Sequence, residues 1–183
     1  MARAPTIKAP AKDCSTGMFD QKILYMLIGP KGAGKTYIGA LVNRQTDITF
    51  LRVEPIWLGL EAGENGWKKV EAGIDAMFQT HDKVMIESLG IGEEFAGFHA
   101  ALSEKYPLKM IRVYADLETC FNRVKNRDRS AHIAVSDANV IEYNRMAATV
   151  SHEWDLEINN NGPTPDADIL EAIQSIGAVR HKH

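Results

Sequence analysis

The chain has 183 residues, 45% of them hydrophobic and 25% charged, with a formal net charge of −3. That size and balance suit one domain with a substantial core, and the slight acidity argues against a general binder of nucleic acid or membrane surfaces. Only Cys14 and Cys120 are present, too few for a disulfide scaffold and without metal-ligand spacing, so a reducing cytoplasm is the expected setting; no apolar run approaches membrane-spanning length.

Residues 1–20 are rich in Ala, Pro and Lys and poor in large apolar side chains, which reads as a flexible leader before a single domain over 21–183. Ile23 to Ile28 is short, apolar and β-favouring, as a buried parallel strand requires. It runs straight into Gly29-Pro30-Lys31-Gly32-Ala33-Gly34-Lys35-Thr36, which satisfies G-x-x-x-x-G-K-[ST], and a helix with Ile38, Leu41 and Val42 on one face follows. Strand, glycine-rich turn and helix together make a phosphate cradle: backbone N–H groups converge on phosphate oxygens and the helix N-terminus adds partial positive charge. Lys35 is placed to reach the β- and γ-phosphates of a nucleotide, and the Thr36 hydroxyl to ligate Mg²⁺.

Further strands are predicted over residues 48–53, 84–86, 110–114 and 156–158, with helices between them. Asp116 is read as the cap of a helix running to about Arg127, Ser136 or Asp137 as the cap of another to about Ala148, and Thr164-Pro165-Asp166 as the start of the last. The alternation predicts an α/β fold: a mostly parallel five-stranded sheet with helices on both faces, three layers in all. Any nucleotide would bind at the carboxyl ends of the strands.

Beyond the phosphate loop, Arg123 to Arg129 is similar to the arginine-bearing lid of the small P-loop kinases, a family that includes shikimate, adenylate and gluconate kinases and the kinase domain of polynucleotide kinases. Ile158-Asn159-Asn160-Asn161-Gly162 resembles the turn bordering their adenine pocket. Glu54 stands where the family has a substrate acid, and Gly63 to Lys68 is similar to the shikimate kinase segment that supplies a basic substrate-binding residue, here Lys68. The resemblance runs from about Lys22 to Ile176 and implies a P-loop NTPase fold, ATP and Mg²⁺ as cofactors, and a small-molecule phosphoryl acceptor. Arg52 stands where an additional aspartate is expected, and Ser88-Leu89-Gly90-Ile91-Gly92 replaces an uninterrupted glycine run, so the acceptor stays unnamed.

Residue chemistry points the same way. Arg123 and Arg127 are four apart and share a helical face, and with Arg129 they form a cluster suited to phosphate charge. Glu54, before Pro55, is positioned to orient or deprotonate an acceptor hydroxyl, and Glu87, at the end of the third strand, to hold Mg²⁺ directly or through water. Trp57 and Trp67 flank the acceptor region, while Trp154 and the apolar side of Ala138, Val140 and Ile141 are core candidates. His81, His99, His132, His152, His181 and His183 are scattered without metal-ligand spacing and receive no role. The expected activity is transfer of the ATP γ-phosphoryl group to a small hydroxyl- or phosphate-bearing acceptor. Two alternatives remain: a nucleic-acid-end kinase acting on 5′-hydroxyls, which the acidic balance disfavours, and a nucleotide-binding regulatory switch, for which the [NT]-K-x-D base-recognition pattern is missing.

Overall fold

The computed structural model describes residues 22–127, 132–162 and 164–177. The leader at 1–20, Arg129, His181 and His183 lie outside them. The described elements are β1 (Ile23–Ile28), α1 (Lys35–Gln45), β2 (Thr49–Phe50), α2 (Glu54–Leu58), α3 (Gly66–Met77), β3 (Lys83–Ser88), α4 (Glu93–Lys105), β4 (Leu108–Tyr114), α5 (Leu117–Asn126), α6 (Asp137–Thr149), β5 (Leu156–Asn159) and α7 (Asp166–Gly177).

The strands form one five-stranded sheet in the order β2-β3-β1-β4-β5, and every pairing is parallel. Because side chains alternate across a strand, β1 supplies both cores. Ile23, Tyr25 and Leu27 pack with Ile38 and Leu41 of α1, Cys120 of α5, and Ile169 and Ile173 of α7. Leu24, Met26 and Ile28 pack with Val70 and Ile74 of α3 and with Phe95, Phe98 and Leu102 of α4. The result is the three-layer α/β architecture expected from the alternating pattern.

Two expectations are corrected. The second strand is limited to Thr49–Phe50, because Val53 is already helical in backbone conformation and Pro55, in the first turn of α2, favours the helix that begins at Glu54. On α6 the inward residues are Val140, Asn144 and Ala147, while Ile141 is 40% exposed and Ala138 is exposed. Asp116 does occupy the cap position of α5, but its carboxylate accepts from Asn161 Nδ2 at 3.3 Å and makes no cap hydrogen bond. Ser136 caps α6 through the Asn139 amide.

The two isoleucines give a direct test of this packing. Ile86 in β3 is fully buried, so Ile86→Ala should cost about 2–5 kcal/mol in denaturant unfolding. Ile141→Ala should change stability by less than about 0.5 kcal/mol, as at other exposed positions.

Candidate functional site

The loop from Gly29 to Gly34 leaves the carboxyl end of the central strand and enters α1. Its three glycines are required by space. Gly32 and Gly34 have φ of 86° and 102°, and a Cβ would collide with the Cys120 carbonyl at the first and with the Asn160 side-chain amide at the second. The loop is thus pressed between its neighbours with no room for side chains on that side.

Lys35 is 8% exposed, and its Nζ donates to the carbonyls of Gly29 at 2.6 Å and Pro30 at 2.8 Å. Burial pushes the ammonium down to about 8, against the opposing pull of Glu87, and the nearby charges of Lys31 and Arg127 add to the depression. Lys31 is also lowered, mainly by burial. A site that crowds cations in this way favours an anion between them.

The Thr36 hydroxyl donates to Glu87 Oε2 at 2.7 Å. Register explains the meeting: Glu87 pairs with Leu27 across β1 and β3, so it stands beside the start of the loop. Adjacent oxygens in an octahedral magnesium shell lie about 2.9 Å apart, so this pair fits neighbouring positions on such an ion.

The loop is braced from two sides. Asn144 of α6, 2% exposed, accepts from the Lys31 amide at 2.7 Å and donates to the Lys31 carbonyl at 2.9 Å. On the other side, Asn160 Nδ2 donates to the Ala33 carbonyl at 2.7 Å, while Arg123 donates to the carbonyls of Asn160 at 2.9 Å and Gly32 at 3.4 Å. Asn161 bonds the Asp116 amide at 2.7 Å instead of the loop.

Most residues singled out in the sequence come together here. Lys31, Gly32, Gly34, Lys35, Thr36, Glu54, Trp57, Trp67, Glu87, Arg123 and Arg127 line one open cavity of 780 Å³. Among the described residues Arg127 Nε is buried without a hydrogen-bond partner, a donor that a phosphoryl oxygen would satisfy. Asn160 and Asn161 line a second hollow of 570 Å³ with Arg123, Tyr37 and Asp166. Gly29 and Pro30 border a smaller one of 260 Å³ behind the loop. Lys68 is exposed on the first turn of α3 and is not among the residues lining this cavity, whereas its neighbour Trp67 is.

His132 was passed over in the sequence and lines the cavity. Its Nδ1 lies 2.7 Å from Glu54 Oε2, and the Ile133 amide donates to Glu54 Oε1 at 3.0 Å. Burial alone would raise the Glu54 carboxyl, yet these two contacts hold it below its ordinary value. No local pattern could have marked His132, since its partner lies 78 residues earlier.

No family model matches the sequence, and no curated protein matches it. Solved structures do match. Shikimate kinase from Acinetobacter baumannii, in complex with shikimate, aligns over 88% of this chain and 96% of its own, with a TM-score of 0.57 and 17% identity. The APS kinase CysC of Mycobacterium tuberculosis, in complex with AMPPNP and APS, aligns over 86% and 99%, with a TM-score of 0.59 and 13% identity. A gluconokinase from Sinorhizobium meliloti 1021 aligns over 87% and 92%, with a TM-score of 0.54 and 14% identity. The chain has the P-loop kinase fold. Among the described residues, no helix is long and apolar enough to cross a membrane.

Two measurements probe the P-loop. A triphosphate favours charged Lys35, so near pH 8 binding should take up about half a proton, and affinity should fall as pH rises further. Calorimetry of AMPPNP binding in two buffers of different ionisation enthalpy measures that uptake; none at pH 8 would contradict the buried lysine. Asn144→Leu strands the amide and carbonyl of Lys31, so it should cost about 1–3 kcal/mol of stability and weaken AMPPNP binding.

Proposed function

We propose that this protein is an ATP-dependent phosphotransferase that moves the γ-phosphoryl group to a small hydroxyl- or phosphate-bearing acceptor. The observation that carries the reading is one cavity in which the P-loop lysine, the Thr36–Glu87 pair, Arg127 and the acid Glu54 all face the same space. Phosphoryl transfer needs little covalent chemistry from the protein, so positioning and charge stabilisation in that space suffice.

In this reading the loop amides and Lys35 hold the β- and γ-phosphates, and Thr36 and Glu87 would hold Mg²⁺, which would supply charge neutralisation for the phosphates. The hollow beside Asn160 and Asn161 takes the nucleoside end, on the far side of Arg123. Arg127, together with Arg129, neutralises charge on the moving group. Glu54 takes the acceptor hydroxyl, with His132 fixing the orientation of its carboxylate. Trp57 and Trp67 form the wall of the acceptor end, and Lys68, outside the cavity, takes no part.

The test is transfer of label from γ-labelled ATP, run with no acceptor, with a metabolite panel, and with a 5′-hydroxyl oligonucleotide. Label should move to a metabolite, and Lys35→Ala should lower that transfer by at least about 10²-fold with the fold intact. Normal turnover in Lys35→Ala would overturn the proposal, and transfer to the oligonucleotide alone would replace it with the end-kinase reading. Arg127→Ala should reduce kcat more than it weakens ADP binding, because the charge it meets develops during transfer. Glu87→Gln should raise the Mg²⁺ concentration needed for activity, and Glu54→Gln should depress turnover while leaving ATP binding intact. An exchange of those two phenotypes would reverse the roles of the glutamates.

A further inference from the structure

We propose that the acceptor is an uncharged hydroxyl compound with a flat apolar ring, seated in the corner between Trp57 and Trp67 with its hydroxyl at Glu54 and His132. This rests on the reading of the 780 Å³ cavity as the transfer site.

Among the described residues, the cations lining the cavity, Lys31, Lys35, Arg123 and Arg127, come from the phosphate loop and the end of α5. The lining also includes the apolar Val53, Trp57, Trp67, Leu89, Ile91 and Val135, with Glu54 on the same short helix, α2, as Trp57. Among the described residues, α2, α3 and the segment after β3 send no lysine or arginine into the cavity. An acceptor that carried a carboxylate or sulfate there would lose its water against apolar walls and meet the like charge of Glu54. Lys31 rises from the phosphate loop, and its charge is felt at Glu54, so it offsets part of that like-charge cost. A neutral hydroxyl compound meets neither cost, and its polar group finds a ready acceptor in the Glu54 carboxylate.

The shape of the wall selects a ring. Trp57 and Trp67 meet edge to face, with centroids 5.2 Å apart and planes at 86°. Trp67 is backed by Phe98 at 4.5 Å and Phe95 at 5.7 Å, so the core fixes it from behind. Trp57 lies over Gly66 so closely that a Cβ at that position would collide with its indole. Two indoles held at a right angle form a corner that is built before any ligand arrives, so little ordering cost remains on binding. A flat ring placed there stacks against one indole and presents its edge to the other, the two favoured aromatic geometries.

Four probes separate charge from ring: 1-phenyl-1,2-ethanediol, mandelate, sorbitol and gluconate. The first two share the ring and differ in charge, and the last two repeat the contrast on an open polyol. Binding is followed by saturation-transfer NMR on the full chain without nucleotide. The phenyl diol should bind at least about fivefold more tightly than sorbitol, the equivalent of one aromatic contact, and more tightly than mandelate and gluconate. Trp57→Ala should remove about that factor and Trp57→Phe should retain most of it, with circular dichroism and thermal unfolding checking the fold of both. Equal or tighter binding of mandelate or gluconate, indifference to Trp57→Ala, or no binding of any probe would overturn the assignment. AMPPNP affinity, measured separately by calorimetry on wild type and Lys35→Ala, keeps the two readings apart. Intact, Lys35-dependent AMPPNP binding with no probe preference would sink the ring assignment alone, whereas lack of AMPPNP binding would sink the phosphotransferase reading.

Discussion

Everything at this site depends on β1 being buried on both faces. Its six side chains are at most 5% exposed and divide between the two cores, so the strand cannot shift along its axis without disturbing both layers. The loop that follows therefore starts from a fixed point at the carboxyl edge of the sheet. Parallel pairing with β3 on one side and β4 on the other brings Glu87 and the start of α5 to the same edge. The geometry around the loop is a by-product of sheet register.

From that point the loop is held by groups that have little to do with one another in sequence. Asn144 grips Lys31 from α6, Asn160 grips Ala33 from beyond β5, and Arg123 ties the two sides together from α5. Each contact satisfies a backbone group that a tight turn would otherwise strand away from water. The side chains of the loop are then free to face the cavity, where burial depresses both Lys31 and Lys35. Burying these cations together carries an electrostatic cost that an anion between them would relieve. Glu54 shows the converse: its own cost of burial is offset by the Ile133 amide and the His132 ring, which hold its carboxyl below the ordinary value.

The fold was legible to the extent that its signals are local. The run Ile23 to Ile28 followed by glycines and an apolar helical stripe lies within about one supersecondary unit, where spacing alone dictates geometry. The second strand was overread because Leu51 and Val53 are apolar, and apolarity does not distinguish a strand end from the buried approach to the short helix at Glu54. Ile141 was misjudged for a related reason. On α6 the stripe that faces inward includes a polar residue, Asn144, so the apolar residues beside it mislead when read by hydropathy.

The sequence by itself determined the strand, glycine-rich loop and helix over residues 23–45 and the parallel α/β order, because each is set by neighbours a few residues away. Only the tertiary structure decided that Asn144 holds the loop, that His132 meets Glu54, and that Trp57 and Trp67 stand at right angles. The physical reason is one of range. The partners of Asn144 and His132 lie 113 and 78 residues away, and a hydrogen bond that joins distant elements leaves no periodic mark on either segment of chain.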